Sequence, residues 1–156
     1  MATIEYLLQA SHAVLGEFLV VIEAERLSLS GIDVDALHAI TAQKSALATR
    51  LAELDKQLDA ALLTQGHPAG RPGVELWLGA LPAAPGQSAR TTWNSILERA
   101  ATAKQANEIN GKLIAARLQQ NQQALGVLLN EGGDSTTYGA DGQRNSSAGR
   151  RNLGSA

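Results

Sequence analysis

Apolar side chains in residues 3–29 recur in alternating steps of four and three, and this spacing constrains the fold more than any other feature. Ile4, Leu8, Leu15, Phe18, Ile22 and Leu29 share one face of an α-helix, and Leu7, Val14 and Val21 widen it. The run stops at "SLSGID", where Gly31 is expected to take a left-handed cap and Asp33 to cap a second helix. That helix is predicted from about Val34 to Thr64. Its stripe is Leu37, Ile40, Leu47, Leu51, Leu54, Leu58 and Leu62, interrupted by Lys44. A short link between two long helices makes them antiparallel neighbours.

Composition agrees with helices. The chain has 27 alanines and 23 leucines but only 3% aromatic residues, so an aliphatic helical core is expected rather than a β-sandwich. "QGHPAGRPG" (65–73) ends the second helix, because its three glycines and two prolines cannot continue one. An irregular connector is predicted over 65–88, with one helical turn around Trp77. That indole either packs back onto the helices or stands exposed for recognition. A third helix, the longest, is predicted over 89–130. It is read as continuous through Asn107, Asn110 and Gly111, with a break at Gly111 and a four-helix bundle as the rival reading. Two faces compete for its seam. One runs through Trp93, Ile96, Ala100, Ala103, Asn107, Asn110, Ile114, Arg117, Asn121, Ala124 and Leu128, with asparagines able to fix register or oligomeric state. The other is centred on Ala106, Ile109, Leu113 and Ala116.

The fold class expected is therefore all-α: three long helices in an antiparallel bundle or coiled-coil-like hairpin, the third longest, with a disordered C-terminal tail. Residues 1–130 form the helical domain. Residues 131–156 hold six glycines and few apolar groups, so burial cannot offset their ordering entropy.

Chemistry is sparse. The net charge of −2 and the lack of a basic stripe argue against nucleic-acid binding. The absence of cysteine excludes disulfides and thiolate metal sites. His12, His38 and His67 are far apart and form no metal-ligand spacing. "GHPAGRPG" lacks the Gly-Lys-Ser/Thr ending of a phosphate loop, and Asp33 and Asp35 read as helix-start charges. No nucleophile, base and orienter come together in the pattern, so neither an enzyme nor a cofactor is expected. The N-terminus lacks a basic n-region, and no run approaches the ~18 uninterrupted apolar residues of a membrane span. A cytoplasmic interaction protein without membrane insertion is expected. Surplus leucines on the later part of the third helix suit a helix-in-groove partner site or a homodimer.

Three segments carry a resemblance. "ITAQKSALATRLAEL" (40–54), "NEINGKLIAARLQQNQQALGVL" (107–128) and "TYGADGQ" (137–143) look like the FlgN family of flagellar type III export chaperones, in the same order along the chain. The connector at 65–90 is longer and richer in proline than the family pattern and inherits nothing from it. The resemblance implies a small helical chaperone that binds the C-terminal segment of the hook–filament junction proteins FlgK and FlgL. It also implies delivery to the cytoplasmic domain of the export-gate protein FlhA. Carried over to this chain, the substrate-protein face falls among Leu113, Ile114, Leu118, Leu125, Leu128 and Leu129. The gate contact falls on Tyr138, with Gly139 and Asp141 beside it. On residues alone, Tyr138 could equally fold back onto the bundle.

Overall fold

The computed structural model describes residues 2–31 and 33–132, which form four α-helices and no strand. They are α1 (Ile4–Gly31), α2 (Val34–Thr64), α3 (Arg71–Ala80) and α4 (Ala83–Gly132). The chain divides into two compact units, residues 1–116 and 117–156. The tail expected over 131–156, with Tyr138, Gly139 and Asp141, lies outside the described residues apart from its first two positions.

The two N-terminal helices form where the apolar spacing places them. The Asp33 side chain accepts from the Ala36 backbone N–H at 3.0 Å and caps α2 as expected. The cap expected at Gly31 is corrected: positive φ among the described glycines occurs only at Gly66 and Gly70, and Gly31 is the last residue of α1. The turn closes one step later, where the Asp33 N–H donates to the Ser28 carbonyl at 3.4 Å. The left-handed glycine falls instead at the end of α2. Gly66 (φ 81°) allows His67 N–H to reach the Leu62 carbonyl at 2.9 Å and Gly66 N–H to reach Leu63 at 3.0 Å, a Schellman closure.

The helix count is corrected from three to four, because the connector holds a helix of its own. Pro72 sits in the first turn of α3, where its missing N–H has no intrahelical partner to lose. Gly73, also in that turn, allows the Pro68 carbonyl to lie directly against the helix. Val74, Trp77 and Leu78 then bury one face of α3. Trp77 therefore packs onto the core rather than standing out for recognition. The start of the last helix is likewise corrected from about 89 to Ala83. Pro85 falls in its first turn, among N–H groups that a helix leaves unpaired. α4 continues through Gly111 without a break.

Within residues 1–116, one apolar cluster joins Ile4, Leu7, Leu8, Val14 and Leu15 of α1 to Leu54, Leu58, Ala61 and Leu62 of α2, the buried face of α3, and Ala89 and Ile96 of α4. By length and composition alone α1 could cross a bilayer, but its stripe here is core. The buried line on α4 runs Ala89, Ile96, Ala103, Asn110 in steps of seven. Three of these belong to the first seam weighed from the sequence, whereas Ile109 and Leu113 of the rival face are exposed.

Candidate functional site

Polar contacts between the helices of the first unit pin their register. His12 Nε2 and Ser95 Oγ lie 2.8 Å apart, and Arg99 Nη1 donates to the His12 carbonyl at 2.8 Å. Gly16 leaves room for that guanidinium, since a Cβ there would stand 2.7 Å from Arg99 Nη1. Further along both helices, the Asn110 amide donates to the Ile22 carbonyl at 2.9 Å and to Glu25 Oε2 at 2.7 Å. Lys44 Nζ of α2 donates to both Glu25 oxygens, at 3.0 and 3.2 Å. Asn110 and Glu25 are 1% and 5% exposed, so three helices meet in a buried polar layer.

This layer was half legible. Lys44 interrupts the α2 stripe and Asn110 sits in the α4 seam, but Glu25 was missed. Its signal was its own position, between Ile22 and Leu29 in the apolar spacing of α1. Opposite charges at core positions of neighbouring helices mark a pair.

The six positions assigned to a substrate face are all exposed, and they divide between the two units. Leu113 (37%) and Ile114 (48%) belong to the first. Leu118, Leu125, Leu128 and Leu129 belong to the second, with exposures from 58% to 76%. At 3.6 residues per turn, Leu118, Leu125 and Leu129 share a face, with Leu128 at its edge. Val127, exposed and not among the predicted residues, projects on the opposite side. Between Arg117 and Glu131 the helix carries no charge, and its polar positions from 119 to 123 are four glutamines and an asparagine. Such a surface offers apolar contact and neutral hydrogen bonds to a partner, and no ionic steering.

Sequence reasoning also missed two clefts in the first unit. One, of about 460 Å³, lies between α1 and α2, with Val20, Val21, Ala46 and Leu47 flanked by Glu17 and Gln43. The other, of about 320 Å³, lies between α3 and α4 beside Arg71, Glu75, Arg90 and Trp93. Neither gathers catalytic groups. Among the described residues no three His, Cys, Asp or Glu side chains come together as a metal site. His12 bonds Ser95, His38 is exposed, and His67 lies in the turn after α2.

A family model described as "FlgN protein" matches residues 1–146. Two curated relatives, the "Flagella synthesis protein FlgN" of Salmonella typhimurium (strain LT2) and that of Salmonella typhi, are each 30% identical to this chain over 145 residues. The alignment covers 92% of this chain and 91% of each relative. No solved structure matches the chain significantly.

Proposed function

Because the chain belongs to the FlgN family, we propose that it acts in flagellum synthesis as a non-catalytic cytoplasmic export chaperone. Its core is an antiparallel bundle of the three long helices, closed at one end by α3. In this reading it binds the C-terminal segment of hook–filament junction proteins of the FlgK and FlgL type, keeps them competent for type III secretion, and delivers them to an export gate of the FlhA type. The observation that carries it is the set of solvent-facing leucines at 118, 125, 128 and 129 on an uncharged stretch of helix. Leucines this exposed do not serve a core; they suit an amphipathic partner helix, whose masking typically covers ~800 Å² on each side. Leu113 and Ile114 are assigned to the same client. Tyr138, Gly139 and Asp141 are assigned to the gate. A lone aromatic ring on a glycine-rich segment docks reversibly when ordering that segment offsets part of the contact energy.

Calorimetric titration of the full chain with a junction-protein C-terminal segment tests this reading. Stoichiometric binding is expected. Leu125→Asp and Leu128→Asp, on exposed positions, should leave the helical circular dichroism intact and weaken binding at least ~10-fold, the loss expected when an apolar anchor is replaced by a charge. Unchanged affinity in both folded variants refutes the proposed face. The competing reading, a self-associating scaffold that uses the same leucines, predicts a molar mass that rises with concentration in light scattering.

A further inference from the structure

The main apolar cluster ends well short of the α1–α2 turn. On α1 it reaches Leu15, on α2 Leu54, with Leu47 packed partly against it, and on α4 Ile96. Ile22, Leu29, Ile40 and Ala103 are buried but stand outside the cluster. Between Ile22 and Leu29 along α1 comes the Glu25–Lys44–Asn110 layer. Asn110 is the last buried residue of α4 in the first unit, and every residue from Gly111 to Ala116 is exposed. Beyond the layer, Leu29 and Ile40 are the only buried hydrophobic residues of α1 and α2.

The geometry points to a latch: the Glu25–Lys44–Asn110 layer divides the first unit into a stable base and a tip that opens on its own. The tip is α1 from residue 26, α2 up to residue 43, and α4 from 111 to 116. Bonds of 2.7 to 3.2 Å hold the three helices together when the layer is closed. Their net contribution is small, because desolvating the charges opposes their attraction. The layer is also incomplete: Asn110 Oδ1 is buried with no hydrogen-bond partner. Lys44 is 22% exposed along its side chain, so water already reaches it. Opening the tip hydrates a carboxylate, an ammonium and an unsatisfied amide, whereas opening the base would expose an apolar cluster to water. The two costs differ, so the molecule opens at the tip first. In the open form Leu29, Leu37 and Ile40 become accessible beside Leu27 and Val34, which are exposed already. The latch does not depend on which partner the protein serves.

Hydrogen exchange of the full-length chain, read by mass spectrometry, tests the latch. Amides of 26–31, 34–43 and 111–116 are expected to exchange at least about 10-fold faster than those of 7–15 and 54–62, as a separate local opening requires. Glu25→Gln should speed exchange of the tip several-fold and leave the base unchanged. The triple variant Glu25→Leu, Lys44→Leu, Asn110→Leu should slow the tip toward the rate of the base. Equal protection of tip and base in the natural chain overturns the proposal. So does a triple variant that folds with the tip unaltered, or Glu25→Gln speeding tip and base together. If the triple variant does not fold, the Glu25→Gln comparison decides alone.

Discussion

The placement of α3 makes opposite predictions for two glycines six residues apart. At Gly73 a Cβ would overlap the Pro68 carbonyl oxygen, stand 2.9 Å from its carbonyl carbon and 3.3 Å from Leu62 Cδ1. The first two are backbone atoms, so Gly73→Ala must displace either the turn or the helix start. Displacing the helix disturbs Val74, Trp77 and Leu78, all buried. Complete exposure of three such side chains would cost about 5–9 kcal/mol at ~1.5–3 kcal/mol each, which sets the ceiling. Partial relief should leave a loss of about 2–4 kcal/mol, the range of clashes and cavities in a core. At Gly79, near the other end of α3, a Cβ would meet nothing within 4 Å. Gly79→Ala should therefore stabilise, by up to about 1 kcal/mol, through helix propensity and reduced unfolded-state entropy. Urea titration should follow the helical circular dichroism together with the fluorescence of Trp77 and Trp93, the only two tryptophans. The midpoints should move in opposite directions at similar slope. A Gly73→Ala midpoint within error of the natural chain would refute the packing of Pro68 on α3.

A Cβ at Gly111 would also meet nothing within 4 Å, so Gly111→Ala in the continuous α4 should raise stability by about 0.5–1 kcal/mol; a loss by urea titration would mean that the backbone there is not helical. Asp33→Ala removes the acceptor for the Ala36 N–H and should cost about 1 kcal/mol in the same assay, and no measurable loss would dismiss the cap. Partial desolvation first, and the neighbouring Asp59 charge second, push the carboxyl of Asp55, an exposed residue of α2, above its ordinary range. Its ionised form therefore opposes folding. Asp55→Asn should raise the thermal midpoint at neutral pH. That gain should shrink as pH falls through the folded-state pKa and vanish below the unfolded value; a gain that persists in acid would refute the assignment.

What the sequence made legible was what local periodicity encodes. The stripes of α1 and α2 and the Asp33 cap depend on residues within a few turns of one another, and they form as read. Of α3 only the turn around Trp77 was legible, because Pro72 and Gly73 are helix breakers by propensity. Their tolerance depends on facts outside the local window: Pro72 falls in a first turn, and Gly73 is pressed against Pro68. Pro85 and Gly86 hid the start of α4 in the same way. Gly86 lies close against Leu81, where a Cβ would stand 3.3 Å from the Leu81 Cβ. Of the candidate site, the exposed leucines were visible as apolar surplus on α4. The α1–α2 cleft was not, since Val20 and Ala46 stand off the stripes that periodicity picks out.

The α4 seam raises a further question of register. Ala89, Ile96 and Ala103 alternate in size, so sliding α4 by seven residues would set an alanine in the Ile96 space and an isoleucine in an alanine space. Two polar contacts add to that discrimination. A slide in one direction puts Thr92 where Arg99 stands, and in the other Ala106; neither reaches the His12 carbonyl, and the space beside Gly16 is left empty. The same slides put Ala103 or Arg117 against Glu25 in place of Asn110. Alanine would lose the bond to the Ile22 carbonyl and one bond to Glu25, which then keeps only Lys44, at ~0.5–1.5 kcal/mol for a neutral bond and ~1.5–3 kcal/mol for the one to the charge. Arginine would force a second cation into the space that Lys44 already serves. The Arg99 contact lies beside the continuous apolar cluster and the Asn110 contact lies beyond it. Register is therefore fixed in the base even while the tip is open, and a reopened tip can close only into the same alignment.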